Sequence, residues 1–276
     1  MTERHNSILL LGESGVGKTH YGAQLLNRLM NVEGVLRMEG QSTNLLPFQS
    51  AMNSLQEGRA ADHTATSTYS ESVWPIKDGT GRRADLVWPD YGGEQIKRMI
   101  ETRRIPNAWR ERITTSPAWL MLVRLQALRI GDDIFSKPLA ALRSSSAVAA
   151  DGQVSDQARM IELLQMLLFV GSMGDRPLER PRLAVLLTCW DELGFEGAPE
   201  AVLKERLPLF WTFIRSSWRA PTVLGVSALE RPLSPNERDL DYVAKGPENF
   251  GYVVRADGSR SPDLTLPIQL LLDDGK

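Results

Sequence analysis

Gly12-Glu13-Ser14-Gly15-Val16-Gly17-Lys18-Thr19 reads G-x-x-x-x-G-K-[ST] at every position. These residue types at this spacing make a phosphate cradle. The glycines let the backbone curl until successive N–H groups point inward at phosphate oxygens. The helix expected to begin near Lys18 adds the positive end of its dipole. Lys18 is then placed to reach the β- and γ-phosphates of a nucleotide, and the Thr19 hydroxyl to bind Mg²⁺. His20, next in the same helix, is counted with the nucleotide-contacting residues. The competing reading is a plain glycine turn. The apolar run "SILLL" before the motif and the helical spacing of Ala23, Leu26, Leu29 and Met30 after it favour the cradle.

A phosphate loop alone does not separate kinases, ATPases and GTPases. The next informative stretch is "ADLVWPDYGGEQ". An apolar strand there delivers Asp90 to its carboxyl end, where ligands sit in open α/β sheets. A carboxylate at that place can hold Mg²⁺ through water beside Thr19. Asp90-Tyr91-Gly92-Gly93 also spells D-x-x-G. The bare N–H of Gly93 can meet a γ-phosphate, which makes the loop sensitive to whether that phosphate is present.

With these two motifs in order, the chain resembles the translation-factor and Ras-like (TRAFAC) class of P-loop GTPases. The resemblance implies Mg²⁺, GTP or GDP as ligand, and a protein effector that reads the switch loops. It also implies a threonine in the first switch loop that completes the Mg²⁺ shell. "HTATSTY" offers Thr66 for that place, with Thr64 and Thr68 as alternatives. Thr188-Cys189-Trp190-Asp191 resembles the guanine motif [NT]-K-x-D. Guanine presents adjacent N1–H and N2–H donors, and one carboxylate can accept both. Asp191 would therefore discriminate guanine from adenine. Cys189 departs from the pattern, which has a lysine whose stem covers the base. Trp190 reads either as a substitute cover or as core. Ser227-Ala228, one strand-helix-strand step later, resembles the last guanine motif, with a backbone N–H set against the guanine O6. The "WPDYGGEQ" and "TCWDELG" forms are also similar to bacterial double-GTPase families found in conflict or defence gene clusters.

Hydrolysis is harder to place. In Ras-like proteins a glutamine after D-x-x-G orients the attacking water. Here Glu94 stands there, with Gln95 next. A carboxylate at that point adds negative charge near the γ-phosphate, so slow hydrolysis without a partner is expected. The stretch 97–112 carries six basic residues against two acidic ones. Arg98, Arg103 and Arg104 are its candidates for transition-state charge, against the plainer reading of a solvated helix face. A nucleotide-binding module with negligible hydrolysis, motivated by Glu94, and a P-loop ATPase or kinase, motivated by Cys189, are the rival readings.

These residues need a scaffold that brings loops to one sheet edge. "SILLL", "AWLMLVRL", "PRLAVLLT" and "TVLGVS" are continuous apolar runs, the signature of strands buried on both faces. They alternate with helical segments, which predicts an α/β fold of the Ras-like kind, a mainly parallel sheet flanked by helices. "YSESVWPI" and "RRADLVW", split by "KDGTG", predict one antiparallel hairpin. Residues 39–67 read as irregular, and "YVVRADGSR" as a possible second hairpin. About 100 residues separate Asp90 from Asp191. The Ser/Ala/Gly-rich stretch 126–156 reads as an insertion between the second and fourth motifs. The expected organisation is one domain over 1–276, with a largely irregular extension over 231–276.

Composition sets the outer bounds. The 276 residues are 42% hydrophobic, enough for one sizeable core. The net charge of -2 gives no reason to expect nucleic acid as a partner. One cysteine rules out an internal disulfide framework and suits a reducing compartment. No apolar run approaches the ~20 residues of a membrane span, and the amino terminus lacks the apolar core of a signal peptide. A cytoplasmic location is expected.

Overall fold

The computed structural model describes residues 6–31, 34–61, 70–90, 94–128, 155–173 and 180–273. β1 (Ser7–Leu11) is buried along its whole length. Its side chains alternate between two cores, as strand geometry requires. Ile8 and Leu10 face one cluster, and Leu9 and Leu11 face the other. That double burial is why the run is apolar without alternation. α1 (Lys18–Asn31) covers the first face through Tyr21, Leu25, Leu26 and Leu29.

β1 pairs in parallel with β4 (Arg83–Asp90) on one side and with β5 (Ala118–Val123) on the other. β6 (Arg182–Thr188) and β7 (Thr222–Ser227) continue the parallel run. The expected hairpin is β3 (Ser70–Asp78) against β4. Antiparallel pairing also extends both edges. β2 (Leu36–Met38) joins β3 on one side. β8 (Tyr252–Val254) joins β7 on the other, followed by β9 (Arg260–Ser261). Among the described residues the sheet order is β2-β3-β4-β1-β5-β6-β7-β8-β9.

On the second face lie α3 (Glu94–Thr102), α4 (Asn107–Thr115), α5 (Asp156–Ser172), α6 (Pro199–Arg206) and α7 (Pro208–Ser217). Ser155 caps α5 by accepting from the Ala158 N–H at 3.3 Å. Trp109, Trp119 and Trp218 are buried in this layer, which makes them core.

The described part of the stretch 39–67, residues 39–61, is more regular than its polarity suggests. It contains α2 (Leu46–Gln56), with Pro47 in its first turn and Phe48, Ala51 and Leu55 buried on one side. The Phe48 ring meets Trp74 and Trp88 edge-on, with centroids 4.9 and 5.2 Å away.

The region beyond β7 also contains regular elements. α8 (Leu240–Lys245) and α9 (Leu266–Leu272) accompany the β8–β9 pair. This region is tied to α1. The Tyr21 hydroxyl donates to Leu264 O at 3.0 Å, and Arg28 Nη2 donates to Phe250 O at 2.8 Å. The Gln24 amide donates to Ala228 O at 3.0 Å and to Pro247 O at 2.9 Å. No helix among the described residues is long and apolar enough to cross a membrane.

Candidate functional site

The phosphate loop leaves β1 at its carboxyl end and turns directly into α1. Gly15 and Gly17 have φ of +75° and +79°, a backbone region that other residues enter only with strain. Gly12 is needed for a different reason. A Cβ there would lie 3.0 Å from Val16 Cγ2 and 3.2 Å from the Leu122 carbonyl oxygen. The loop thus rests directly on the backbone of β5. The Lys18 ammonium crosses the loop and donates to Gly12 O at 2.9 Å and to Glu13 O. This concentrates positive charge at the mouth of the cradle.

Register brings the backbone of Asp90 to the same edge. Leu9 of β1 is level with Val87 of β4. Gly12 and Asp90 each lie three residues further on, so both backbones reach the carboxyl edge of adjacent parallel strands. Thr19 lies in the first turn of α1. A hydroxyl and a carboxylate are hard oxygen donors, the set that suits Mg²⁺. Glu94 and Gln95 begin α3. Gly93 and the three switch threonines, Thr64, Thr66 and Thr68, lie outside the described residues.

Across the sheet edge, β6 ends at Thr188 and the chain turns sharply. Cys189 has φ +51° and ψ +46°, and Trp190–Leu193 forms a single 3-10 turn closed by Gly194 in the same left-handed region. The Trp190 ring is buried and packs on β7, so it is core and not a cover for a base. The contact is close. A Cβ on Gly225 would lie 2.4 Å from Trp190 Cε3 and 2.7 Å from Cδ2. Gly225→Ala is therefore expected to cost about 1–3 kcal/mol through overpacking. The effect would be read as a lower urea midpoint with unchanged slope. An unchanged midpoint would show that Trp190 does not need the glycine.

With Trp190 turned inward, its neighbour Asp191 faces the cleft. The Ser227 hydroxyl donates to Asp191 Oδ1 at 2.6 Å and accepts from the Glu230 N–H at 2.8 Å. The two guanine-motif residues, far apart in sequence, thus meet in one hydrogen-bonded unit. Gly17, His20, Thr188, Cys189, Asp191 and Ala228 line one cavity of about 80 Å³, together with Arg231 and Pro232. This cavity joins the phosphate loop to the Asp191 turn. The His20 Nε2 also accepts from the Ala61 N–H at 3.0 Å, which ties the start of α1 to the chain just after α2.

Electrostatics at the Cys189 turn are one-sided. Burial pushes the Cys189 thiol up to about 11, and the nearby Arg124 charge offsets this only in part. The side chain is therefore a neutral thiol at physiological pH. Sequence reading passes over two arginines. Arg124, directly after β5, donates Nη1 to Gly15 O at 3.1 Å and grips both carboxylate oxygens of Glu192 at 3.0 and 2.6 Å. Arg159 of α5 pairs with the loop residue Glu13 and with Asp156. Their one sequence signal is weak: an arginine at the carboxyl end of a buried strand, and another in the first turn of a helix. Arg98 and Arg104 are exposed, and Arg103 pairs with Glu162.

The sequence profile of the Double-GTPase 1 family matches residues 9–271, from β1 to α9. No curated protein matches the chain. Among solved structures, the signal recognition particle receptor SRb-GTP/SRX complex from Chaetomium thermophilum is similar at 14% identity, with 83% of this chain and 94% of that one covered and a TM-score of 0.39. The Arl6 small GTPase from Trypanosoma brucei, with a bound nucleotide analogue, is similar at 14% identity, with 82% and 88% covered and a TM-score of 0.40.

Proposed function

The chain belongs to the Double-GTPase 1 family of P-loop GTPases, and from that premise we propose a Mg²⁺-dependent switch that hydrolyses GTP slowly on its own. The observation that carries this reading is that Asp191, held by a hydrogen bond from Ser227, lines the same cavity as Gly17. That bond holds a carboxylate at a fixed place across from the phosphate cradle, as a single guanine nucleotide requires.

In this reading the N–H groups of residues 12–19 receive the phosphates and Lys18 neutralises their charge. Thr19, Asp90 and Thr66 would hold Mg²⁺, which would supply further neutralisation of phosphate charge. Asp191 accepts from the two guanine donors, with Thr188, Cys189, Ser227 and Ala228 shaping the rim and His20 closing it from α1. Gly93 senses the γ-phosphate. Glu94 or Gln95 orients the attacking water, and the charge of Glu94 keeps the step slow. A protein effector reads the ordered switch stretches. The "WPDYGGEQ" and "TCWDELG" forms support a setting in bacterial conflict or defence systems. The whole chain acts as one domain, with 126–156 as an insertion and 231–276 as an extension that braces α1.

The test is nucleotide competition. GTP and GDP should displace a fluorescent GDP from the purified protein with Mg²⁺, and ATP should not. ATP displacing it equally well would replace the guanine reading with an ATPase or kinase. In a single-turnover assay, hydrolysis is expected over minutes to hours. No product at all, even with a partner present, would favour the second reading that Glu94 motivates, a nucleotide-binding module without turnover.

A further inference from the structure

The family pattern has a lysine at the second position of the base motif, and here that position is Cys189. Its side chain points at the phosphate loop: Sγ lies 3.5 Å from where a Cβ on Gly17 would sit. A short neutral thiol there supplies neither a cation nor a long stem. The thiol itself contributes no charged tie between the loop and the base turn.

The neighbouring strand closes that gap. Val123 of β5 is level with Leu187 of β6, so Arg124 stands level with Thr188, one residue short of Cys189. Its guanidinium uses one edge for the Gly15 carbonyl and the other for both oxygens of Glu192. Glu192 is the residue after Asp191. A second contact braces the same carboxylate residue, because Gln126 Nε2 donates to Glu192 O at 3.2 Å. The result is a rigid fork between the phosphate cradle and the base carboxylate.

We propose that Arg124 is the positioning residue for guanine-nucleotide binding in this chain, supplying from β5 the cationic tie that Cys189 cannot supply from β6. The proposal rests on the guanine reading above. The physical reason is preorganisation. One ligand must satisfy the phosphate loop and Asp191 together, so its affinity depends on the span between them being fixed before it arrives. The planar fork of arginine matches Glu192 bidentately and still has an N–H for Gly15. A lysine in its place carries its donors on one nitrogen at the end of a flexible stem and lacks the planar fork that grips Glu192 bidentately.

The experiment is calorimetric titration of the full chain, with Mg²⁺, against GDP and against inorganic tripolyphosphate. Arg124→Ala should weaken GDP roughly ten- to a hundred-fold, the scale of one lost charge-assisted contact set. Tripolyphosphate, which touches only the cradle, should change far less. Cys189→Lys in the Arg124→Ala background should recover a good part of the GDP affinity, because its stem starts where the thiol already points. Glu192→Gln, which keeps the arginine and loosens the grip, should give a smaller GDP loss and serves if Arg124→Ala does not fold. Unchanged GDP affinity in both variants overturns the proposal. So does an equal loss of GDP and tripolyphosphate, which would make Arg124 a support of the loop alone. Failure of the unaltered protein to prefer GDP over ADP is a separate result and would refute the guanine reading itself.

Discussion

Lys18→Ala should lose GTP affinity on the order of a thousand-fold, with no loss of folded protein. The ammonium is held at the mouth of the loop by Gly12 O and Glu13 O. A triphosphate entering there takes over those donors with its β- and γ-oxygens. Two charge-assisted bonds of about 1.5–3 kcal/mol each amount to about 3–6 kcal/mol, or two to four decades in affinity. Alanine does more than remove them. It leaves two loop carbonyls without this cation between them and the incoming phosphates. Lys18 sits at the first turn of α1 with its charged end at the cleft, so the apolar contacts of Tyr21, Leu25 and Leu26 that fix the helix are untouched. The thermal midpoint should therefore stay within a degree or two, while GTP no longer raises it. GDP should suffer less than GTP, because only one of the two contacted phosphates remains. GTP binding within threefold of the unaltered protein would exclude Lys18 from the phosphate site.

The parts of this site that are legible in the sequence are those whose chemistry is local. Gly15 and Gly17 declare themselves because they adopt positive φ, a constraint that lies within the eight-residue motif, whereas Gly12 is constrained in part by the Leu122 carbonyl of β5. β1, β5, β6 and β7 are legible because burial on both faces forces an unbroken apolar run. α2 reads as irregular in sequence because only Phe48, Ala51 and Leu55 mark its buried side, among polar residues. β2 has three residues and exists through its pairing with β3, which no local propensity reports. Trp190 is ambiguous in sequence because its orientation is decided by Gly225, a residue on another strand. The same reason hides Arg124 and Arg159. Each acts through a partner more than 100 positions away, Gly15 and Glu13 respectively, and each looks locally like a surface charge. The departures from family pattern are visible as letters, but what compensates for Cys189 is visible only in three dimensions.

Asp191→Asn makes the sharpest test of base recognition, because the structure fixes how the new amide would sit. The Ser227 hydroxyl donates to Asp191 Oδ1, and its own acceptor role is taken by the Glu230 N–H. Turning the amide over would take the acceptor away from the buried Ser227 O–H, which favours the amide oxygen at the Oδ1 place and sets the amide NH₂ where Oδ2 was. The amide then meets guanine donor to donor at one of its two contacts. The lost charge-assisted bond and the unpaired donor together predict a GDP and GTP loss of roughly a hundred- to a thousand-fold. Xanthine carries a carbonyl where guanine carries the exocyclic amine. The same NH₂ can donate to it, so the xanthosine nucleotide should bind the variant better than the guanosine nucleotide does. Tripolyphosphate binding should be unchanged, since the cradle is intact. Adding Ser227→Ala to Asp191→Asn would free the amide to turn and should blunt the preference for xanthine. A variant that binds GDP as the unaltered protein does would remove Asp191 from the site. A loss of GDP without any gain for xanthosine diphosphate would keep Asp191 in place and show that Oδ2 faces the N1–H, so that the Oδ1 held by Ser227 is the atom that meets the exocyclic amine.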